Sequence, residues 1–279
     1  MIVELVLIVI VMLLILMTAF MFAPLGLGGG VLYVPIFLYL LEWDIHLALI
    51  CSLLLVWAVS LGSRAAHHKG GYEVAEVGRK GTAASLVGAV FGALLAALFI
   101  SLIGDVSIKI AALLLLVWVL YRTVKQLNGK MNGNLNGDGE SPPVEGRLLA
   151  QYRAGCFYGG TASALLGIGG GAIFMTLHRS VLGFRQHRAA GTSYIIESWM
   201  VPMGILTHLV VDGTGSQIIE TLGFYLVLIF LLVAGTAWVG ARTAIKLLPQ
   251  RVLTYPFIIA VFVSIVRYLI DIKDMILLG

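Results

Sequence analysis

The chain has 279 residues, 60% of them hydrophobic and only 11% charged, with a formal net charge of +4 and a mean hydropathy of +1.02. Ordinary soluble domains carry about 25% charged residues, so this composition excludes a water-soluble globule. The basic residues are scattered among apolar segments rather than gathered in a patch, which argues against nucleic-acid binding and for cytoplasmic loops between membrane spans.

Taken in chain order, the apolar runs include 2–22, 47–61, 83–103, 110–121, 221–239 and 252–265, and several reach the ~20 residues that cross a bilayer as a helix. Continuous runs argue against a β-barrel, whose strands alternate. The expected fold class is therefore an all-α polytopic membrane protein, located in the cell membrane. The run 2–22 has no basic n-region and no small-residue cleavage site, so it is expected to be retained. Cys51 and Cys156 both lie in apolar context and make no disulfide framework.

One stretch resists this reading. "PLGLGGGVLYVP" at 24–35 places Gly26, Gly28, Gly29 and Gly30 between two prolines, in a position where each glycine costs about 1 kcal/mol of helix stability relative to alanine. It returns without a gap as "LLGIGGGAIFMT" at 165–176, with Gly167, Gly169, Gly170 and Gly171. The offset of 141 also equates His46 with His187, Ala48 with Ala189, Ser52 with Ser193 and His67 with His208. The chain is thus expected to comprise a first transmembrane repeat (1–127), a flexible Gly/Asn/Pro-rich linker (128–147) that is cytoplasmic, and a second transmembrane repeat (148–279).

Charge gives the orientation. Arg64, Lys69, Arg79 and Lys80 around the loop at 63–80, and Arg122, Lys125, Lys130 and Arg147 around the linker, are placed inside by the positive-inside rule. The segments 42–46 and 104–109 fall outside. In the second half the signs swap: 179–188 and 242–251 are basic and inside, while 211–220, with Asp212 and Glu220, is outside. Inverted-topology repeats are a transporter signature, with the substrate site at the repeat interface. For the topology to close, 2–41 and 148–182 must each be a hairpin tipped by glycines, each repeat being such a hairpin plus three transmembrane helices.

A backbone break at that depth is tolerated only where it is buried in protein or lines a cavity. Exposed glycine N–H groups and the free N–H groups of the helix start that follows make an anion cradle. Close helix packing is the competing explanation for the same glycines.

With these residues set out, the chain resembles the TauE/SafE family of sulfite and sulfonate exporters. "GLGGGVLYVPIF" followed by "HLALICSLLLVWAVSLGSRAAHHKGGYEV", then "GIGGGAIF" followed by "HRAAGTSYII", carry the resemblance across both halves. It implies a membrane permease for a small sulfur oxyanion or organic sulfonate. Two features depart from the usual pattern: Ile50 and Cys51 stand where the second half has Gly191 and Thr192, and a carboxylate, Glu197, lies inside the membrane.

The candidate substrate-binding residues are the eight tip glycines with the hydroxyls of Ser52, Thr192 and Ser193, which either point at a central anion or bond back to their own helices. Glu197 is the candidate coupling residue, since an ionisable group deep in a span is a functional hypothesis by default. Its repeat partner is Val56. His46 and His187 suit helix starts, and His67 and His208 helix ends. No metal site and no cofactor is expected. No nucleophile–base pair or P-loop is present, so the protein is not expected to be an enzyme. The expected partners are a small anionic substrate and the lipid bilayer, with no nucleic acid; a homodimer is the oligomer considered. The leading expectation is a secondary transporter, and the alternatives are a passive anion channel of the same architecture or a carrier of a small carboxylate.

Overall fold

The computed structural model describes residues 2–127, 143–247 and 250–278. Most of the expected linker, 128–142, lies outside the described residues. The first half contains α1 (Ile2–Phe22), a short 3₁₀ turn (Ala23–Leu25), α2 (Gly30–Leu40), α3 (Ile45–Lys69), α4 (Ala75–Ile103) and α5 (Asp105–Leu127). The second contains α6 (Gly146–Leu166), α7 (Gly171–Ser180), α8 (Gln186–Asp212), α9 (Gly215–Leu222), α10 (Tyr225–Leu247) and α11 (Gln250–Leu278). Among the described residues, seven helices are long and apolar enough to cross a membrane. The protein is an all-α polytopic membrane protein.

The helices outrun their apolar cores. Residues 63–80 hold the end of α3 and the start of α4 with only a short turn between them, so Arg64, Lys69, Arg79 and Lys80 sit on helix ends. Long basic side chains let a helix continue past the hydrocarbon while the charge stays in water. α6 likewise begins at Gly146, slightly before the expected domain boundary, and the segment expected as an external loop at 211–220 contains the end of α8 and most of the additional short helix α9. Local chemistry sets the ends: the Asp44 carboxylate accepts from Leu47 N–H (3.1 Å) at the start of α3, as an N-cap should, and Gly104 alone separates α4 from α5.

α3 and α8 are the central helices. Leu49, Ile50, Leu53, Val56 and Val59 of α3 are fully buried, as are Thr192, Ser193, Glu197 and His208 of α8. The helices around them present Leu5, Leu13 and Met17 (α1), Val87, Phe91 and Leu94 (α4) and Leu228 and Leu231 (α10) outward, an apolar surface suited to lipid. The packing is exchanged between halves. α4 packs on α6 and α8 of the second half, α10 packs on α1 and α3 of the first, and α5 packs on α11.

These crossings are close because one partner lacks a side chain. A Cβ on Gly88 would run into the Phe157 carbonyl, on Gly92 into that of Thr161, and on Gly160 into that of Ser85, all in the α4–α6 contact. Gly62 meets the Ala234 carbonyl between α3 and α10, and Gly240 the Phe20 carbonyl between α10 and α1. Within a bilayer, where apolar burial gives helices little reason to associate, such close backbone approach supplies the packing. Gly235 has open space at the same test. Gly88→Ala is expected to lower the thermal midpoint of the detergent-solubilised protein, at a cost of about 1–3 kcal/mol for overpacking. Gly235→Ala should leave it unchanged or raise it, because alanine is the better helix former by about 1 kcal/mol. Equal midpoints for the two variants would contradict this packing.

Candidate functional site

The two glycine stretches are breaks between helices. The first joins the 3₁₀ turn to α2 and the second joins α6 to α7, and the outgoing arms are short. The 11 residues of α2 and the 10 of α7 extend about 16 and 15 Å, half a bilayer. Gly26 and Gly28 have φ of 74° and 70°, matched by 67° and 73° at Gly167 and Gly169. These left-handed conformations are where glycine is favoured. The third pair differs, with φ of 85° at Gly29 and −78° at Gly170.

The tips touch each other through their backbones. A Cβ on Gly30 would overlap the backbone of Ile168, and a Cβ on Gly171 that of Gly26 and Leu27. Both contacts obey the 141 offset, since 30 pairs with 171 and 27 with 168. Gly29 and Gly170 are N-caps of α2 and α7, and neither helix start has a side-chain cap. Leu32 and Ile173 N–H bond back to the Gly29 and Gly170 carbonyls, so the first-turn N–H groups with no intrahelical acceptor are those of Gly30, Val31, Gly171 and Ala172. With the positive ends of the two helices they are gathered where the tips meet.

Beside the tips lies the α3–α8 pair. Val56 faces both tips: a Cβ on Gly28 would sit 3.1 Å from its Cγ1, and one on Gly169 would sit 2.5 Å from the same atom. The Glu197 Oε2 lies 3.2 Å from that Gly28 position. Glu197 is fully buried, and neither carboxyl oxygen has a hydrogen-bond partner among the described residues. One residue on, the indole N–H of Trp57 donates to the Ser198 carbonyl (3.2 Å), another pair 141 apart. Pro202 explains that bond. It has no N–H for the carbonyl four residues earlier, and Trp57 supplies the missing donor from α3.

The three candidate hydroxyls are placed differently. Ser52 donates across the halves to the Gly167 carbonyl (2.5 Å), on the second tip. Ser193 donates to its own helix at Ala189 O (2.8 Å) and lies 3.0 Å from His178 Nδ1. Thr192 donates to the Arg188 carbonyl (2.8 Å) and accepts from Val74 N–H (3.2 Å) at the start of α4. The Gly191–Thr192 departure from Ile50–Cys51 now has a reason. Gly191 lets the turn before α4 approach, its Cβ position lying 3.0 Å from the Tyr72 carbonyl, and Thr192 holds that turn.

Sequence reasoning overlooked two residues of this region. His178, fully buried on α7, links Tyr152 of α6 (2.9 Å at Nε2) to Ser193 of α8. Its repeat partner is Phe37, so symmetry gave no hint. Trp57 was also missed; the proline four residues beyond Ser198 was the available signal. At the other end of the α3–α8 pair, His208 bonds Asp212 (2.8 Å) and the Ala164 carbonyl (2.8 Å), and His46 lies 3.2 Å from the same aspartate.

The family described as sulfite exporter TauE/SafE matches residues 11–268, nearly the whole chain. No curated protein and no solved structure matches. A buried carboxyl without partners costs stability of about 1–3 kcal/mol. Glu197→Met, of similar shape and with no polar atom to desolvate, is therefore expected to raise the thermal midpoint. A lower midpoint would mean that the carboxyl has partners in the folded protein.

Proposed function

The chain belongs to the TauE/SafE family of sulfite exporters, and from that premise we propose that it is a secondary transporter in which a small sulfur oxyanion or organic sulfonate binds at the paired glycine tips. The observation that carries this reading is the meeting of two uncapped helix starts through glycine backbone in the protein interior. Backbone N–H groups and helix N-termini bind anions without a cationic side chain. The 141-residue offset in both tip contacts, and in the Trp57–Ser198 bond, supports two inverted repeats about a pseudo-twofold axis through this point. Rocking one repeat against the other would then separate the tips toward either side. The direct backbone contact between the tips counts against a continuous channel filter.

Glu197 makes the proposed carrier proton-coupled. Its carboxyl lies beside Gly28, so an anion in the cradle and a carboxylate would be close neighbours. Two like charges 4 Å apart repel by about 4 kcal/mol at an effective dielectric of ~20. Anion and proton therefore favour each other's binding, and by linkage the effect is reciprocal. A proton on Glu197 would travel with the anion.

The test is thermal stabilisation of the purified protein by sulfite, sulfate, thiosulfate, sulfoacetate and acetate, repeated in a Gly29→Ala, Gly170→Ala variant. A ligand at 100 times its Kd stabilises by about 2.7 kcal/mol. Stabilisation by a sulfur oxyanion or sulfonate should be strong in the natural protein and lost in the variant. No stabilisation, or equal stabilisation of both, would return the glycines to a packing role. Acetate as the best ligand would favour a carboxylate carrier.

A further inference from the structure

We propose that His187, His67 and Tyr194 form the route by which a proton reaches Glu197 from the positively charged face of the protein, an inference that rests on the coupling role given to Glu197 above. His67, at the end of α3, is fully buried. Its Nδ1 lies 2.8 Å from the Ser63 carbonyl, and since a carbonyl only accepts, Nδ1 carries the hydrogen. That leaves Nε2 of the neutral ring as a buried lone pair, and it has no hydrogen-bond partner among the described residues. His187, half-buried at the start of α8, has an Nδ1 that likewise lacks a hydrogen-bond partner among the described residues. The two rings are 6.2 Å apart between centroids. A half-buried base thus leads to a sealed one.

From His67 the line continues inward. The Tyr194 ring is 5.7 Å away, and its hydroxyl donates to the Ala23 carbonyl (2.7 Å), just ahead of the first glycine tip. Glu197 follows Tyr194 by one turn of α8, on the same face. The other titratable and charged groups around His67 are Tyr72 from the turn before α4, Arg64 and His68 of α3, both engaged with Glu73, and Lys69 with Arg242 of α10 at the Trp238 ring. Arg188 follows His187 and lies over Phe184.

The opposite end of the α3–α8 pair shows what the route requires. The 141 offset gives it the same two histidines, His46 and His208, but Leu53 stands in place of Tyr194 and Val56 in place of Glu197. His208 there is engaged at both ring nitrogens, Nδ1 with Asp212 and Nε2 with the Ala164 carbonyl. His46 Nδ1 lies in ion-pair range of the same aspartate, at 3.2 Å, without a hydrogen bond. Histidine pairs occur at both ends, but polar residues continue inward from only one. The step is a proton transfer and needs no other reactant. A hydronium ion at this face protonates His187 and leaves as water, and the proton passes to His67 Nε2 and then to the Tyr194 hydroxyl oxygen. The hydrogen that hydroxyl had donated to the Ala23 carbonyl goes to the Glu197 carboxylate. The basic residues Arg64, Lys69, Arg185 and Arg188 flank this end, which the positive-inside rule turns toward the cytoplasm.

The experiment uses the full chain in proteoliposomes, with an imposed sulfoacetate gradient and a trapped pH indicator, alongside sulfoacetate stabilisation of each purified variant. The natural protein should move protons with sulfoacetate. His67→Gln and Tyr194→Phe should cut that proton movement at least tenfold while sulfoacetate still stabilises both variants as it does the natural protein. Proton movement at the natural rate in His67→Gln overturns the route and leaves the anion site standing. Sulfoacetate transport without protons in the natural protein overturns the route and the coupling role of Glu197 together. Absence of sulfoacetate stabilisation in the natural protein overturns the tip site itself. If His67→Gln does not fold, His187→Gln carries the same expectation, and undiminished proton movement in it overturns the route.

Discussion

The structure depends on one backbone contact, glycine tip against glycine tip. An interruption of helical hydrogen bonding inside a membrane must be enclosed by protein, and here each interruption is enclosed partly by the other. Only a residue without a Cβ fits at 30 or 171, because the space a side chain would need holds the main chain of the opposite tip. The short outgoing arms α2 and α7 follow from this, since each must start at depth. The central placing of α3 and α8, which follow those arms, follows in turn.

Among the glycines, close packing and backbone turning are divided between positions. Gly30 and Gly171 are packing residues in the strict sense, touching backbone. Gly26, Gly28, Gly167 and Gly169 hold the left-handed turns that direct the chain into the following helix. The proposed anion site requires both, because backbone N–H groups can converge only if the turns are correct and the tips approach.

What was legible in the sequence was the part written in periodicity and backbone chemistry. Long apolar runs predicted helices, and glycine clusters predicted the breaks. Helix ends were less legible: the apolar run at 83–103 belongs to a helix that begins at Ala75, because Arg79 and Lys80 carry it beyond the hydrocarbon without interrupting it. Side-chain direction was not legible. Ser52, Thr192 and Ser193 look alike as hydroxyls near helix starts, yet one reaches the opposite tip, one holds a neighbouring turn and one joins a histidine network. Which of these a hydroxyl does depends on neighbours from distant elements, such as Val74 and His178. The most informative positions were those where the repeat fails to repeat. Glu197 against Val56 stood out on the sequence alone, whereas Tyr194 against Leu53 acquires meaning only once His67 is seen beside it.

The exchanged packing of α4 and α10 has a consequence for biosynthesis. When the ribosome has completed the first half, α4 has no α6 or α8 to receive Gly88 and Gly92, and α1 has no α10 to cover Phe20. Those surfaces remain against lipid until the second half is inserted. The exchanged contacts of this protein therefore form only after the second half is inserted, and neither half attains its full set of native contacts in isolation. Severing the chain between the halves should still permit reassembly when both pieces are made in the same membrane, since the surfaces that hold them belong to both.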